Sequence, residues 1–505
     1  MRVREGARPV VLTWLLLAGL SSALLLRATF SSPPGTVFVG TFYYVDDFYN
    51  YLSYVQQAEE GALVFRNKLA PPTLPPALVN VEWLLVGWLA ALLGGAPLIA
   101  YRLVGLAALA VLVHQVDRWL VRGGLPPPRR LPGLLLVFTG GGLGWVLVAL
   151  KSGLRPYDVV AGVYPFVEAL ANPHFVVGTA LLVAALGAFA TDRPGLGAVL
   201  GNILALARPY DAALLAGVAA VAVLVRWPPT RWPRRLLPLA ALVPVLLYDA
   251  WVFLWSPGFR IFSAPVYSTS GPSLLELALA VGPAALIALT AARAGAGGPE
   301  GRHRLYLALW ATLALLTVVL RPVSFSLQFL AGVGVPLLAL GAIGLGRLRR
   351  GILEAAVVVF AGTAATVAAL QLQPNSYRNV PAERWRVAAA LGEVCRTGEI
   401  VVAPSDIGLY VGGLSSCWPW ASHSASPEHA SREAATGRFY SGTPPERSRF
   451  LDEVCATHVV VPRAWPAGGL PPGAPYRRGV EVDGPGGGLA VYSREPQASC
   501  RPASP

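Results

Sequence analysis

The chain has 505 residues, of which 54% are hydrophobic and only 13% are charged, and its mean hydropathy is +0.55. A soluble protein would carry about a quarter charged residues, so this composition excludes an ordinary soluble enzyme and places most of the chain in lipid. The net charge of +13 does not indicate nucleic-acid binding, because the arginines cluster in short segments between apolar runs, as the positive-inside rule predicts for cytoplasmic loops.

The N-terminus combines a basic segment with the first apolar run, residues 9–26. This arrangement resembles a signal peptide, but the run is long and no small-residue cleavage site follows it. We therefore predict an uncleaved signal anchor whose N-terminus lies in the cytoplasm.

Further apolar runs recur as far as residue 370. They cover residues 77–93, 98–121, 131–150, 175–190, 196–207, 212–225, 236–255, 274–292, 305–320, 325–345 and 352–370. Residues 77–93 contain Asn80, Glu82 and two tryptophans, which suit an interfacial helix better than a spanning one. With that segment in the interface, 11 crossings remain. The arginine clusters then face the cytoplasm and the C-terminus lies outside. Residues 196–207 are short for an unassisted span.

The composition changes near residue 373, which divides the chain into a membrane domain (1–372) and a small extracytoplasmic α/β domain (373–505). The pattern there predicts an amphipathic helix at 385–395, strands at 399–403 and 457–461, and a hairpin at 479–492. All four cysteines (Cys395, Cys417, Cys455 and Cys500) lie in this domain, which favours disulfides in an oxidising compartment. Their pairing stays open. A zinc site is disfavoured, because no pair has close CxxC spacing.

The first outer loop, residues 28–76, contains the adjacent carboxylates Asp46 and Asp47 among several tyrosines. Neighbouring carboxylates repel each other, and partial burial raises the pKa of one of them. Such a group can act as a general base for an acceptor hydroxyl. Alternatively, the pair caps the start of an interfacial helix. Both interpretations stay open. The role as a general base is considered because the surrounding aromatic residues can stack on sugar rings.

The segment from Asp46-Asp47 through Tyr51 to Gly61 resembles the first outer loop of GT-C glycosyltransferases. These are multi-span enzymes that transfer sugars from polyprenyl-phosphate carriers, and their relatives include protein mannosyltransferases and lipid A aminoarabinose transferases. Stretches at residues 140–145, 172–175 and 208–211 are similar to ones in an uncharacterised GT-C-like branch. The resemblance implies an α-helical polytopic GT-C-like protein with a catalytic acid just after the first span, either Asp46 or Asp47.

The resemblance also implies a second outer acid, between the third and fourth crossing spans. Asp158 and Glu168 are the candidates, and either would hold the acceptor or a divalent ion. The simpler expectation is that both are solvated loop charges. His174 is a candidate donor to phosphate or substrate, or a structural residue beside a helix start. Asp211 is expected to cap its helix or pair with Arg208, with a catalytic role as the alternative.

Cationic side chains on the predicted outer face are a further set of candidates: Arg66, Lys68, Arg155, Arg208, Arg260 and Arg321. A guanidinium group binds phosphate oxygens through paired hydrogen bonds and stabilises the charge of a leaving phosphate. We expect Arg321 to hold the donor phosphate, followed by Arg260, Arg208 and Arg66. The alternative for each is snorkelling towards the headgroups.

Two other motifs have structural alternatives. The glycine run at residues 140–144 is not a phosphate-binding loop, since no Gly-Lys-Ser/Thr follows, and it predicts close helix packing within a span. Trp418, Trp420 and His423 follow Cys417 and would contact carbohydrate or, equally, pack in a core.

These features favour a GT-C-type glycosyltransferase of the cell envelope, a multi-pass protein of the plasma membrane. Its expected partners are a polyprenyl-phosphate-linked sugar, the lipid bilayer and a glycan, lipid or protein acceptor, without nucleic acid. In-line attack would invert the anomeric centre. A divalent metal stays open as a cofactor, and no metal ligand is assigned. The alternatives are a lipid or glycolipid transporter or flippase, for which inverted repeats with broken helices would be the sign, and a non-catalytic GT-C-like scaffold.

Overall fold

A computed structural model describes residues 2–69, 74–160, 162–260, 271–294, 298–322, 326–349, 351–422, 426, 428–465, 470, 475–484 and 487–494. The chain divides into two compact units. Unit 1 comprises Met1–Arg27, Tyr101–Trp251 and Ser263–Gln373, and unit 2 comprises Ala28–Ala100, Val252–Phe262 and Pro374–Pro505. The first outer loop therefore belongs to the same compact unit as the C-terminal segment. The domain boundary at residue 372 stays a prediction.

Helices dominate the described part of the chain. They are α1 (Arg2–Phe30), α2 (Val45–Glu59), α3 (Val81–Leu92), α4 (Pro97–Arg122), α5 (Arg130–Thr139), α6 (Gly144–Ala149), α7 (Tyr157–Val160), α8 (Pro165–Ala171), α9 (Pro173–Ala190), α10 (Pro194–Ala207), α11 (Pro209–Arg226), α12 (Trp232–Ala240), α13 (Val243–Leu254), α14 (Leu274–Ala288), α15 (Gly298–Leu320), α16 (Gly334–Leu345), α17 (Ile352–Phe360), α18 (Gly362–Gln371), α19 (Ala382–Val394), α20 (Ser405–Leu414), α21 (His429–Ser441) and α22 (Pro444–Glu453). The strands are β1 (Thr36–Phe38), β2 (Asn379–Pro381), β3 (Ile400–Val402), β4 (Trp418–Pro419), β5 (Ala456–Pro462), β6 (Arg477–Val482) and β7 (Leu489–Ser493).

Within the described residues, eight helical segments are long and apolar enough to cross a membrane: Ala7–Phe30, Pro97–Arg122, Pro173–Ala190, Pro209–Arg226, Leu274–Ala292, Gly298–Leu320, Ser326–Leu345 and Ile352–Gln371. Helices α12 and α13 form a ninth candidate that is bent by 47°. The polytopic α-helical class predicted from composition is therefore confirmed. The sidedness of the termini and the count of 11 crossings stay predictions.

Helix α3 corresponds to the segment predicted to lie in the interface. It has 12 residues, too few for an unassisted span. Its first turn is capped by Asn80, whose side-chain oxygen accepts hydrogen bonds from the N–H groups of Glu82 (3.0 Å) and Trp83 (3.2 Å). Both its length and its polar start fit a helix that does not cross the bilayer.

The run at residues 131–150 does not form the continuous span that the sequence predicts. Helix α5 ends at Thr139 and α6 begins at Gly144, and the N–H of Leu143 is bonded to the carbonyl of Leu279 in α14, 2.9 Å away. A Cβ atom at Gly142 would lie 2.1 Å from the carbonyl oxygen of Ala280. The glycines thus allow close packing against α14, as expected, but that contact interrupts the helix, because it takes backbone groups out of the helical ladder.

Unit 2 contains the predicted small α/β arrangement. Its five-stranded sheet has the order β4-β3-β5-β7-β6, in which β3 runs parallel to β4 and β5, while β7 runs antiparallel to β5 and β6. A disulfide joins Cys395 to Cys417, and Cys455 is also disulfide-bonded. Cys500 lies outside the described residues.

The first outer loop is anchored inside unit 2 by several contacts. Strand β1 pairs antiparallel with β2, and α2 packs against α3 and α20. The Nζ atom of Lys68 is buried and donates hydrogen bonds to the carbonyls of Ser415 (2.7 Å) and Gly412 (3.4 Å) and to Gln56 Oε1 (3.0 Å). The Trp385 indole N–H donates to the hydroxyl of Tyr49 at 2.8 Å. These contacts hold α2 in place within unit 2.

Candidate functional site

The acid pair occupies the first turn of α2. Tyr44 precedes the helix in the left-handed region (φ 52°, ψ 49°) and makes no side-chain cap bond. Asp46 and Asp47 therefore lie within the helix, not at the capping position that the structural alternative required. Acidic side chains in a first turn interact favourably with the positive end of the helix dipole.

The two carboxylates differ in environment although they are adjacent. Both are partly exposed. Burial, and secondly the neighbouring charge of Asp46, raises the pKa of Asp47 to about 6. A carboxylate with that pKa is ionised at neutral pH, and it is a stronger base than an ordinary aspartate. The sequence predicted that burial and the neighbouring carboxylate would raise the pKa of one of the two acids, and the raised pKa of Asp47 agrees with that prediction.

A cavity of about 360 Å³ within unit 2 has Asp46 on its wall. The Tyr377 hydroxyl, which also lines it, accepts a hydrogen bond from the N–H of Val45 at 3.0 Å and so holds the start of α2. The other lining residues come from the C-terminal segment and include Arg384, Ser405, Asp406, Tyr410, Ser422, His429 and Glu433. The sequence analysis did not identify these residues, because nothing in the local pattern links them to a position more than 300 residues away.

The charged groups on this wall are largely paired with one another. Arg384 forms an ion pair with Asp406. His429 Nε2 lies 3.3 Å from Glu433 Oε2, and the Ser405 hydroxyl donates to Glu433 Oε1 at 3.1 Å. The cavity therefore offers hydrogen-bonding oxygens, and its cationic groups already face acidic partners.

Asp158 and Glu168 in unit 1 are both completely buried, so the expectation that they are solvated loop charges is wrong. Asp158 Oδ2 accepts hydrogen bonds from the N–H groups of Gly142 and Gly144, each 3.0 Å long, and from the Thr363 hydroxyl at 2.9 Å. Burial raises the pKa of Asp158, although these hydrogen bonds oppose the shift. Backbone N–H groups at the break between α5 and α6 have no helical acceptor, and the carboxyl group of Asp158 supplies one.

Glu168, Arg208 and Asp211 form a second group in unit 1, which we call the buried acid–arginine cluster. Glu168 Oε1 accepts a hydrogen bond from the Thr179 hydroxyl at 3.1 Å. Burial raises the pKa of Glu168 to about 8, and the positive charge of Arg208 partly offsets the shift. Arg208 Nε lies 3.4 Å from Asp211 Oδ2, so the predicted pairing of these two residues is present.

Arg208 is the most enclosed of the arginine candidates. It is 2% exposed, and its guanidinium carbon lies 5.0 Å from the centre of the Phe175 ring. Among the residues that the structure describes, its two terminal nitrogens and Glu168 Oε2 have no hydrogen-bond partner. A buried guanidinium with unused donors is costly unless a ligand or water completes it. His174, at the start of α9, interacts electrostatically with Asp211.

The other arginine candidates are exposed. Arg321 has a left-handed backbone (φ 50°), and its guanidinium donates to the carbonyl of Pro272 at 3.0 Å. Arg66 and Arg260 lie in unit 2 with exposed side chains. As the residue that holds the donor phosphate, Arg321 thus has less structural support than Arg208. Lys68 has the structural role given above.

The tryptophans after Cys417 favour the packing alternative. Trp418 is buried in β4. The Trp420 ring lies edge-on to Phe450, with a centroid distance of 5.9 Å, and stacks on Arg432. His423 lies outside the described residues.

The fold is similar to those of solved GT-C glycosyltransferases. The crystal structure of ArnT from Cupriavidus metallidurans in the apo state matches with a TM-score of 0.53 and 14% sequence identity, over 96% of this chain and 99% of that one. The arabinofuranosyltransferase AftD from Mycobacteria matches with a TM-score of 0.50 and 17% identity, over 95% of this chain but 41% of that one. No protein-family model matches the sequence, and no curated protein matches it. The resemblance stated from the first outer loop is therefore confirmed at the level of the fold.

Proposed function

We propose that this protein is a membrane glycosyltransferase that transfers a sugar from a polyprenyl-phosphate donor to an extracytoplasmic acceptor hydroxyl. Asp47 or Asp46 acts as the general base. The observation that carries the proposal is the acid pair at the start of α2, in which Asp47 has a pKa of about 6 and Asp46 lines a cavity. The GT-C fold supports the reaction class.

In the proposed step, the carboxylate takes the proton of the acceptor hydroxyl as its oxygen attacks the anomeric carbon. The new C–O bond forms while the bond from the anomeric carbon to the phosphate oxygen breaks, so the centre inverts. The polyprenyl phosphate leaves with the bonding electron pair and needs a cation. Of the four arginines considered, Arg208 is the best supported, because its terminal nitrogens are unused in the described structure and it is shielded from water. Arg321, Arg260 and Arg66 remain secondary candidates.

Asp158 and Glu168 are the residues expected to hold either the acceptor or a divalent ion. Asp158 accepts three hydrogen bonds through one oxygen, and Glu168 is next to the positive charge of Arg208. These surroundings fit a structural role for Asp158. Because the pKa of Glu168 is raised to about 8, Glu168 is protonated at neutral pH, and the buried acid–arginine cluster keeps one carboxylate, Asp211, against Arg208. We therefore propose a reaction in which the two terminal nitrogens of Arg208 receive the phosphate charge, with His174 nearby, while Asp211 orients the guanidinium from its Nε side.

The transporter alternative has one observation in its favour, since helices α5–α6 and α12–α13 are broken. Broken helices in transporters expose backbone groups to an ion or substrate. The α5–α6 break instead presents its N–H groups to Asp158. A non-catalytic scaffold would have the same fold as the glycosyltransferases but would transfer no sugar.

The experiment is an assay of the purified protein in lipid nanodiscs with a panel of radiolabelled polyprenyl-phosphate sugars and a mixture of envelope acceptors. We compare the parent protein with Asp46→Asn, Asp47→Asn and the double variant. Asp483→Asn is the matched control, because Asp483 is an exposed residue in a surface ion pair. We expect labelled product from the parent and the control and none from the double variant. Product from all three acid-pair variants would refute the base assignment, and lipid movement without transfer would favour the transporter.

A further inference from the structure

The cavity that Asp46 lines, called here the Asp46 cavity, differs from the buried acid–arginine cluster in its chemistry. Its volume of about 360 Å³ falls within the range of roughly 300–1,000 Å³ that small-molecule sites occupy. It belongs wholly to unit 2, and its walls come from the start of α2 and from α19, α20 and α21. The C-terminal segment therefore contributes most of its surface.

The charge distribution of the Asp46 cavity disfavours an anionic ligand. Its acidic residues are Asp46, Asp406 and Glu433, and its basic ones are Arg384 and His429. Arg384 is paired with Asp406, and His429 lies next to Glu433. A phosphate or carboxylate entering the cavity would meet an excess of negative charge and would have to displace an existing ion pair.

The remaining lining groups suit a ligand with many hydroxyl groups and one apolar face. Carboxylates accept hydrogen bonds from hydroxyls, and serine hydroxyls both donate and accept them. Tyr377 is half exposed, and its ring, with the nearby Val380, Pro381 and Leu409, provides an apolar wall. Sugar rings combine these two properties, and an exposed aromatic face packs against their C–H groups.

We infer that the Asp46 cavity is the acceptor subsite and that it takes a neutral saccharide. This rests on the proposed function, since Asp46 belongs to the acid pair that activates the acceptor hydroxyl. Acceptor choice then depends on α20 and α21, while the donor phosphate is bound through other residues.

Saturation-transfer difference NMR on the full-length protein in detergent tests this inference without requiring turnover. The probes are mannotriose and arabinotriose, which are neutral, and trigalacturonate, which is anionic. Ser405→Trp places a large ring at the cavity wall, whereas Ser431→Trp places it at an exposed position of α21 that does not line the cavity. Thermal unfolding of both variants checks that they fold.

We expect the parent and Ser431→Trp to bind a neutral trisaccharide, and Ser405→Trp to bind it at least about tenfold more weakly. Trigalacturonate should bind more weakly than the neutral probes. The inference is overturned if none of the neutral probes binds the parent, if both tryptophan variants bind equally, or if the anionic probe binds best. The donor assay described above reports separately on the transferase activity, so a failed transferase proposal and a failed saccharide site give different results.

Discussion

Asp158 Oδ2 accepts a hydrogen bond of 3.0 Å from the backbone N–H of Gly144. The same oxygen accepts a hydrogen bond from the N–H of Gly142, so one buried carboxyl group supplies the acceptor for two backbone groups at the break between α5 and α6. An unpaired backbone N–H at such a place would cost about 1–3 kcal/mol, which explains why the break needs a buried hydrogen-bond acceptor.

Gly144→Ala should destabilise the protein strongly. A Cβ atom at this position would lie 1.9 Å from Asp158 Oδ1, so the carboxylate must move and its hydrogen bonds weaken. We expect a loss of about 2 kcal/mol, read as a lower midpoint of thermal unfolding in detergent. Gly153→Ala is the control, because a Cβ atom there meets nothing within 4 Å. Equal midpoints for the two variants would contradict the assigned role of Asp158.

The pH dependence of transfer should report the pKa of Asp47. A base with a pKa of about 6 is ionised above that pH and protonated below it, so the rate should fall about tenfold per pH unit below pH 6. The neighbouring charge of Asp46 contributes to the raised pKa. If Asp47 is the base, Asp46→Asn keeps activity and moves the acidic limb of the pH–rate profile to lower pH. Complete loss of activity in Asp46→Asn would instead assign the base to Asp46.

Asp47→Asn should leave the fold at least as stable as the parent at neutral pH. The folded-state pKa lies above the ordinary value, so the folded state binds more protons and its stability falls as pH rises from about 4 to 6. Above pH 6 the full cost of burying the charge is present, about 1–3 kcal/mol, and the neutral amide avoids it. Thermal unfolding at pH 7 measures this, and a lower midpoint for Asp47→Asn than for the parent would contradict it.

Lys68→Met should weaken unit 2, although Lys68 looked like a phosphate-binding candidate in the sequence. The substitution removes three hydrogen bonds and leaves the buried carbonyl of Ser415 without this donor. We expect a cost of about 3 kcal/mol, seen as faster proteolysis near residue 68 and a lower unfolding midpoint. The chain's other lysine, Lys151, is exposed, and Lys151→Met serves as the control. Unchanged stability of Lys68→Met would show that these bonds contribute little.

Gly178→Ala tests Arg208 without altering a charge. A Cβ atom there would lie 2.2 Å from Arg208 Cδ and 2.8 Å from Asp211 Oδ2, so the guanidinium must shift. We expect the KM for the lipid-linked donor to rise by about tenfold or more, because a phosphate-binding guanidinium is sensitive to position. Gly217→Ala in α11 should have no effect, since its Cβ would make one ordinary contact at 3.7 Å. A change in unfolding midpoint with an unchanged donor KM would assign Arg208 a structural role instead.

Features that depend on local composition could be predicted before any contact was known. Long apolar runs predict membrane helices whatever they pack against, because the bilayer requires apolar side chains and internally satisfied backbone groups. The small C-terminal α/β domain was predicted from short apolar strands and an amphipathic helix, and the acid pair was identified from its position after the first span. The predicted strands at 399–403 and 457–461 differ from β3 and β5 by no more than a residue at each end.

The burial of polar residues and the identity of their neighbours could not be predicted in this way, because both depend on the folded arrangement. Asp158 and Glu168 have loop-like sequence neighbours, yet both are enclosed, because their partners lie on other helices. The Asp46 cavity joins the start of α2 to Tyr377, which is 332 residues from Val45. Burial, pKa and cavity shape depend on contacts between distant segments, whereas hydropathy and periodicity report only on neighbours along the chain.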